Sequence, residues 1–85
     1  MWKIILEDFA IKKLKKLDRS TREKIENFLN QKLKVNPTQN SKSLISNKRK
    51  LSRARVGDYR IIFEIRHKEI LIIIVDIDHR SSIYN

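Results

Sequence analysis

The chain contains one glycine, Gly57, and it stands between two strand-like runs: S-R-A-R-V before it, and Y-R-I-I-F-E-I after Asp58. A Gly-X pair in that setting fits a two-residue II′ hairpin turn, because glycine accepts the positive φ that its first position demands. The turn then dictates a register. Val56 pairs with Tyr59, Arg55 with Arg60, Ala54 with Ile61, Arg53 with Ile62, and Ser52 with Phe63. Paired residues share a face and successive residues alternate. Arg53, Arg55 and Arg60 therefore converge on one side. Ala54, Val56, Tyr59, Ile61 and Phe63 form the other, with small residues opposite bulky ones, as a face covered by helices requires.

The rest of the chain supplies those helices. Trp2 to Leu6 alternates as a first strand. Asp8 is placed to cap a helix over residues 9–17, in which Ala10, Leu14 and Leu17 share a face. Ser20 and Glu23 have capping-box spacing for a second helix, with Ile25, Phe28, Leu29 and Leu33 in helical period and Asn36-Pro37 as its stop. Residues 36–50 read as a polar loop, anchored by Leu44-Ile45. Strands follow over 51–56, 59–65 and 69–77, with a second turn at Arg66-His67-Lys68. The last strand is apolar enough for burial on both faces, hence an interior position. The expected fold is a single α+β domain over residues 1–85. Its order is β-α-α-β-β-β, with a helical hairpin packed on one face of a mainly antiparallel sheet.

At 85 residues such a domain buries only roughly 60–65% of its unfolded surface, leaving little room for a deep closed pocket. Its charge is lopsided: 20 Lys and Arg against 10 Asp and Glu give +10. That self-repulsion points to a polyanionic partner such as nucleic acid, an acidic protein or a membrane surface. With no cysteine and only His67 and His79, a thiolate zinc site is excluded, and a histidine site would need carboxylate help. No cofactor is expected. The N-terminus turns acidic too early for a signal peptide, and the longest apolar run, Ile70–Val75, is far short of the ~20 residues of a membrane helix. The sequence reads as that of a soluble, cytoplasmic protein.

Three converging arginines in such a chain suit phosphate, whose oxygens match the planar guanidinium fork. Arginine is a poor proton acceptor, so any chemistry needs other groups. The final D-I-D-H-R-S-S-I-Y-N provides His79, a fourth cation in Arg80, and the phenol of Tyr84, whose pKa nearby cations would lower. The alternative is structural: arginines solvated on an open sheet face and paired with Glu64, Asp76 or Asp78, His79 bonded to backbone, and Tyr84 pinning the tail.

The stretch R-A-R-V-G-D-Y-R-I-I-F-E-I, followed by H-R-S-S-I-Y, resembles the RelE family of the RelE/ParE toxin superfamily; the leading β-α-α with K-K-L-K-K-L-D fits as well. The resemblance implies the toxin of a type II toxin–antitoxin pair, an endoribonuclease that cleaves messenger RNA on the ribosome and is held by an acidic, RelB-like antitoxin. Arg53, Arg55, Arg60, Arg80 and Tyr84 match the family's basic positions and terminal tyrosine. His79 fits its H-R pair. Lys12, Lys13 and Lys16, with Lys48, Arg49 and Lys50, become RNA-backbone contacts. Four positions depart from the pattern: Ser52 for tryptophan, Ala54 for leucine, Asp78 for glycine, and Leu51 where some active members are basic. A ParE-like inhibitor of DNA gyrase, a non-catalytic RNA-binding module and a degenerate toxin stay open as alternatives.

Overall fold

The computed structural model describes residues 2–44 and 50–79. β1 (Lys3–Leu6) sends Ile4 and Leu6 toward the core and leaves Ile5 partly in solvent. α1 (Asp8–Lys15) follows. Its N-cap is Glu7, without a side-chain cap, so Asp8 is not the cap expected from sequence. Asp8 sits in the first turn instead, where a carboxylate favours the helix dipole.

α2 (Arg19–Phe28) also starts earlier than its capping-box reading. Asp18 holds the extended cap conformation and accepts hydrogen bonds from the Thr21 backbone and hydroxyl. Ser20 is thereby drawn inside the helix, and Glu23 pairs with Arg19 Nε at 3.0 Å. The D-R-S-T run thus offers a carboxylate cap two residues before the serine. Beyond Phe28 the helix widens into a single π turn, Leu29–Leu33. Ile25, Leu29 and Leu33 lie four apart, and on a regular α-helix each such step overshoots a full turn by about 40°. The wider turn absorbs that drift, and all three are buried.

Asn36 and Asn40 close the helix end: the Asn40 amide donates to the Lys32 and Asn36 carbonyls. Within the expected polar loop lies a further strand, β2 (Lys42–Leu44). It escapes the alternation pattern because an edge strand with little core to cover tolerates Lys and Ser. Ile45, the other proposed anchor, lies outside the described residues.

β3 (Leu51–Val56), β4 (Tyr59–Arg66) and β5 (Leu71–His79) complete a five-stranded sheet of order β1-β5-β4-β3-β2. All neighbours are antiparallel except β1 and β5, which run parallel. The hairpin register is the one the turn dictates, from Val56↔Tyr59 to Ser52↔Phe63. Gly57 has φ +60° and Asp58 stays negative, the II′ pattern.

β5 starts two residues later than its sequence reading, because Ile70 sits in the preceding turn at φ +50°. It is interior, as expected. Ile62 pairs with Asp76 and Phe63 with Ile74, so Val75 is the extra residue of a β-bulge. The bulge restarts the alternation. Ile72, Ile74 and Ile77 all join Ile25, Leu33, Ala54, Ile61 and Phe63 in the core, while Asp76 and Asp78 turn to the opposite face. Ile73, also buried, lies on that opposite face beside Glu64. No helix among the described residues is long and apolar enough to cross a membrane.

Candidate anion-binding site

On the face away from the core, two rows of side chains cross the sheet. One runs Lys42, Arg53, Ile62, Asp76; the other runs Arg55, Arg60, Asp78. The hairpin thus brings Arg53, Arg55 and Arg60 together and adds Lys42, which the sequence alone did not single out because β2 was not legible. The three arginines differ in access. Arg55 is exposed, Arg53 is half-buried and Arg60 is 5% exposed. Burial of Arg60 narrows the open cradle expected from sequence, leaving Arg53, Arg55 and Lys42 as its accessible cations. Arg55 and Arg60 are directly opposed, and like charges in such a pair weaken a sheet.

The sheet edge beside these arginines is hollow. β2 stops at its Lys42↔Arg53 pair, so residues 54–56 of β3 have no strand neighbour on that side among the described residues. A cleft of about 350 Å³ fills the gap, with Lys42, Arg53 and Arg55 on one wall and Gln39–Ser41 on the other. It meets a groove of about 580 Å³ between α2 and the hairpin, where Lys24, Lys32 and Arg55 face Phe28 and Val56. Neither hollow has an Asp or Glu in its lining. Such a trough attracts elongated anions. Lys24 and Lys32 were also missed from sequence: a two-turn spacing on a lysine-rich helix is no signal until the hairpin is seen opposite.

The far end of the rows is acidic. Lys13 reaches from α1 to Asp78 Oδ2 at 3.2 Å and to Asp76 Oδ1 at 3.5 Å. Burial works against its charge, but hydrogen bonds and attraction from Asp78 and Asp76 outweigh that and hold its pKa above the ordinary lysine value. Lys13 is therefore engaged within the protein, unlike the exposed Lys12, Lys16 and Lys50.

His79 pairs with Tyr59, on the face opposite Arg60, and their rings meet edge-on at 5.1 Å. The structure does not bring it to the arginines. The sequence reading ended the last strand at residue 77 and gave His79 no face; the bulge at Val75 decides it. Arg80, Tyr84, Lys48 and Arg49 lie outside the described residues.

The family model for the ParE toxin of type II toxin–antitoxin systems (parDE) matches residues 4–84. No curated protein sequence matches the chain significantly. Among solved structures, the fold is similar to the RelBE2 toxin–antitoxin complex of Mycobacterium tuberculosis: TM-score 0.86 and 24% identity, over 93% of this chain and 98% of that one. The archaeal RelE–RelB complex of Pyrococcus horikoshii gives 0.80 and 24%, over 94% and 96% of the two chains. The isolated Escherichia coli RelE toxin gives 0.72 and 18%, over 99% and 92%. At these identities the likeness establishes the fold.

Proposed function

The chain belongs to the ParE toxin family of type II toxin–antitoxin systems, and we propose that it is an endoribonuclease that cleaves messenger RNA on the ribosome. The observation that carries this reading is the register pairing that gathers Arg53, Arg55 and Arg60 on one face, beside a cation-lined trough without acidic groups. In the proposed reaction the 2′-hydroxyl of the substrate attacks its own phosphorus. The bond to the 5′-oxygen breaks and that oxygen takes a proton from water, leaving a 2′,3′-cyclic phosphate and a 5′-hydroxyl. The arginines, with Arg80, offset the charge that develops on the phosphoryl oxygens, a contribution of about 10²–10³ in rate per well-placed donor. Tyr84 removes the 2′ proton or stacks on a base. His79, turned toward Tyr59, is better suited to packing than to proton transfer. The same trough suits an acidic antitoxin segment, and the proposed place of action is the cytoplasm.

The test is cleavage of messenger RNA by translating ribosomes, read by mapping 5′ ends. Arg60→Ala and Tyr84→Phe should each abolish most cuts, with thermal unfolding checked because Arg60 is buried. Cutting at wild-type rates by both variants refutes the assignment. The family match itself favours a second reading, inhibition of DNA gyrase as in ParE-like toxins. Blocked supercoiling with intact transcripts would select it.

A further inference from the structure

We infer that the groove between α2 and the hairpin takes one unpaired base of the bound RNA, and that the side-chain amides of Asn27 and Gln31 read it, with adenine as the favoured base. This rests on the proposed binding of RNA and adds a specificity subsite to it. Arg55 is the link, because it is exposed and lines both the arginine cleft and the groove. A strand whose phosphate meets Arg55 has its neighbouring nucleotide at the mouth of the groove.

α2 divides its faces between two tasks. Ile25 and Leu29 serve the core. Lys24, Asn27, Phe28 and Gln31 follow the i, i+3, i+4, i+7 spacing of a second stripe, and all four line the groove. The acids of the helix are kept away from it: Glu23 is paired with Arg19, and Glu26 lines a separate hollow beside β1. Lys24 and Lys32 therefore bring uncancelled charge for the RNA backbone, but contacts to phosphate carry no base information.

The amides differ in kind. Each presents a donor and an acceptor side by side, which matches the N6 and N7 edge of adenine. Asn27 and Gln31 are exposed, and neither amide is bonded to another described residue. Asn40 also lines the groove, but its amide nitrogen already donates to the Lys32 and Asn36 carbonyls. Phe28 and Val56, both half-buried, supply an apolar surface for the base to lie against. A groove of about 580 Å³ is within the usual range for a small-ligand site.

Mapping of 5′ ends on translating ribosomes tests this with the full chain. Wild-type cuts should favour adenine by about tenfold at one fixed position near the cut. The double variant Asn27→Ala, Gln31→Ala should lose that preference while still cutting; alanine suits exposed helical positions, and an unchanged unfolding temperature checks the fold. Lys32→Gln should instead lower cutting evenly across sequences. A wild type without base preference, or a double variant that keeps it, overturns the inference and leaves the ribonuclease reading standing. No cuts by the wild type removes both. Displacement of labelled poly-glutamate separates the other kind of anion: if the double variant loses affinity for that peptide and keeps its base preference, the groove belongs to an acidic protein and the inference fails.

Discussion

Replacing Ser52 by tryptophan should stabilise the protein. Ser52 lies on the core side of β3, opposite Phe63, and lines a cleft of about 460 Å³ together with Ser43, Leu44, Ile65 and His67. A fully covered tryptophan buries about 150–250 Å². The cleft is open on one side, so about half of that is credited, which at ~25 cal/mol per Å² comes to about 2.5 kcal/mol. Residual compactness of the unfolded chain trims the figure by roughly 10–40%, and fixing the ring removes about 0.5–1 kcal/mol more. The net gain is about 1 kcal/mol, a rise of about 4–8 °C in Tm for a domain of this size. Thermal and urea unfolding measure it, and the m-value should stay unchanged. Ser52→Glu, which sets a charge against the same apolar wall, should lower stability by more than about 1 kcal/mol. A tryptophan variant destabilised by 1 kcal/mol or more, or a neutral glutamate variant, refutes the reasoning by showing that Ser52 does not face that hollow.

Phe63→Ala should cost about 3–5 kcal/mol, which at about 4–8 °C per kcal/mol lowers Tm by more than about 10 °C in calorimetry; an unchanged Tm contradicts its place in the core. Ile70→Asn should raise stability by about 0.5–1 kcal/mol, because an exposed β-branched residue at φ +50° gives up strain and little packing; a lower Tm contradicts this. The Thr21 hydroxyl and then its backbone N–H hold the Asp18 carboxylate below its ordinary pKa of 3.8. Its contribution is therefore present above that value and is lost as pH falls through the depressed one, so Asp18→Asn should flatten the acid limb of a Tm-against-pH curve.

The hairpin was fully legible from Gly57, because one turn type fixes every pair that follows it, and so was the convergence of three arginines. Helix starts were legible only to within two residues, since Asp18 and Ser20 both qualify as caps and only the backbone decides. β2 was invisible, because K-S-L carries no alternation, and with it went Lys42 and the end of pairing that opens the cleft. The Val75 bulge was equally silent: the run L-I-I-I-V-D-I-D is apolar on both parities until Asp76. That silence left the face of His79 undecided. It also hid the arrangement in which both aspartates share a face with Arg60 and are met by a lysine some sixty residues away in sequence.

An interior strand of the sheet, β5, follows every other strand in sequence. β5 separates β1 from β4, so Lys3–Leu6 has no bed until Leu71–Ile74 exists. Contacts between strands so far apart in sequence form slowly. The helices and the β3–β4 hairpin rest on local contacts and can form before β1 finds its place in the sheet. Loss of β5 would therefore unseat β1 as well, although the two lie at opposite ends of the strand order in sequence.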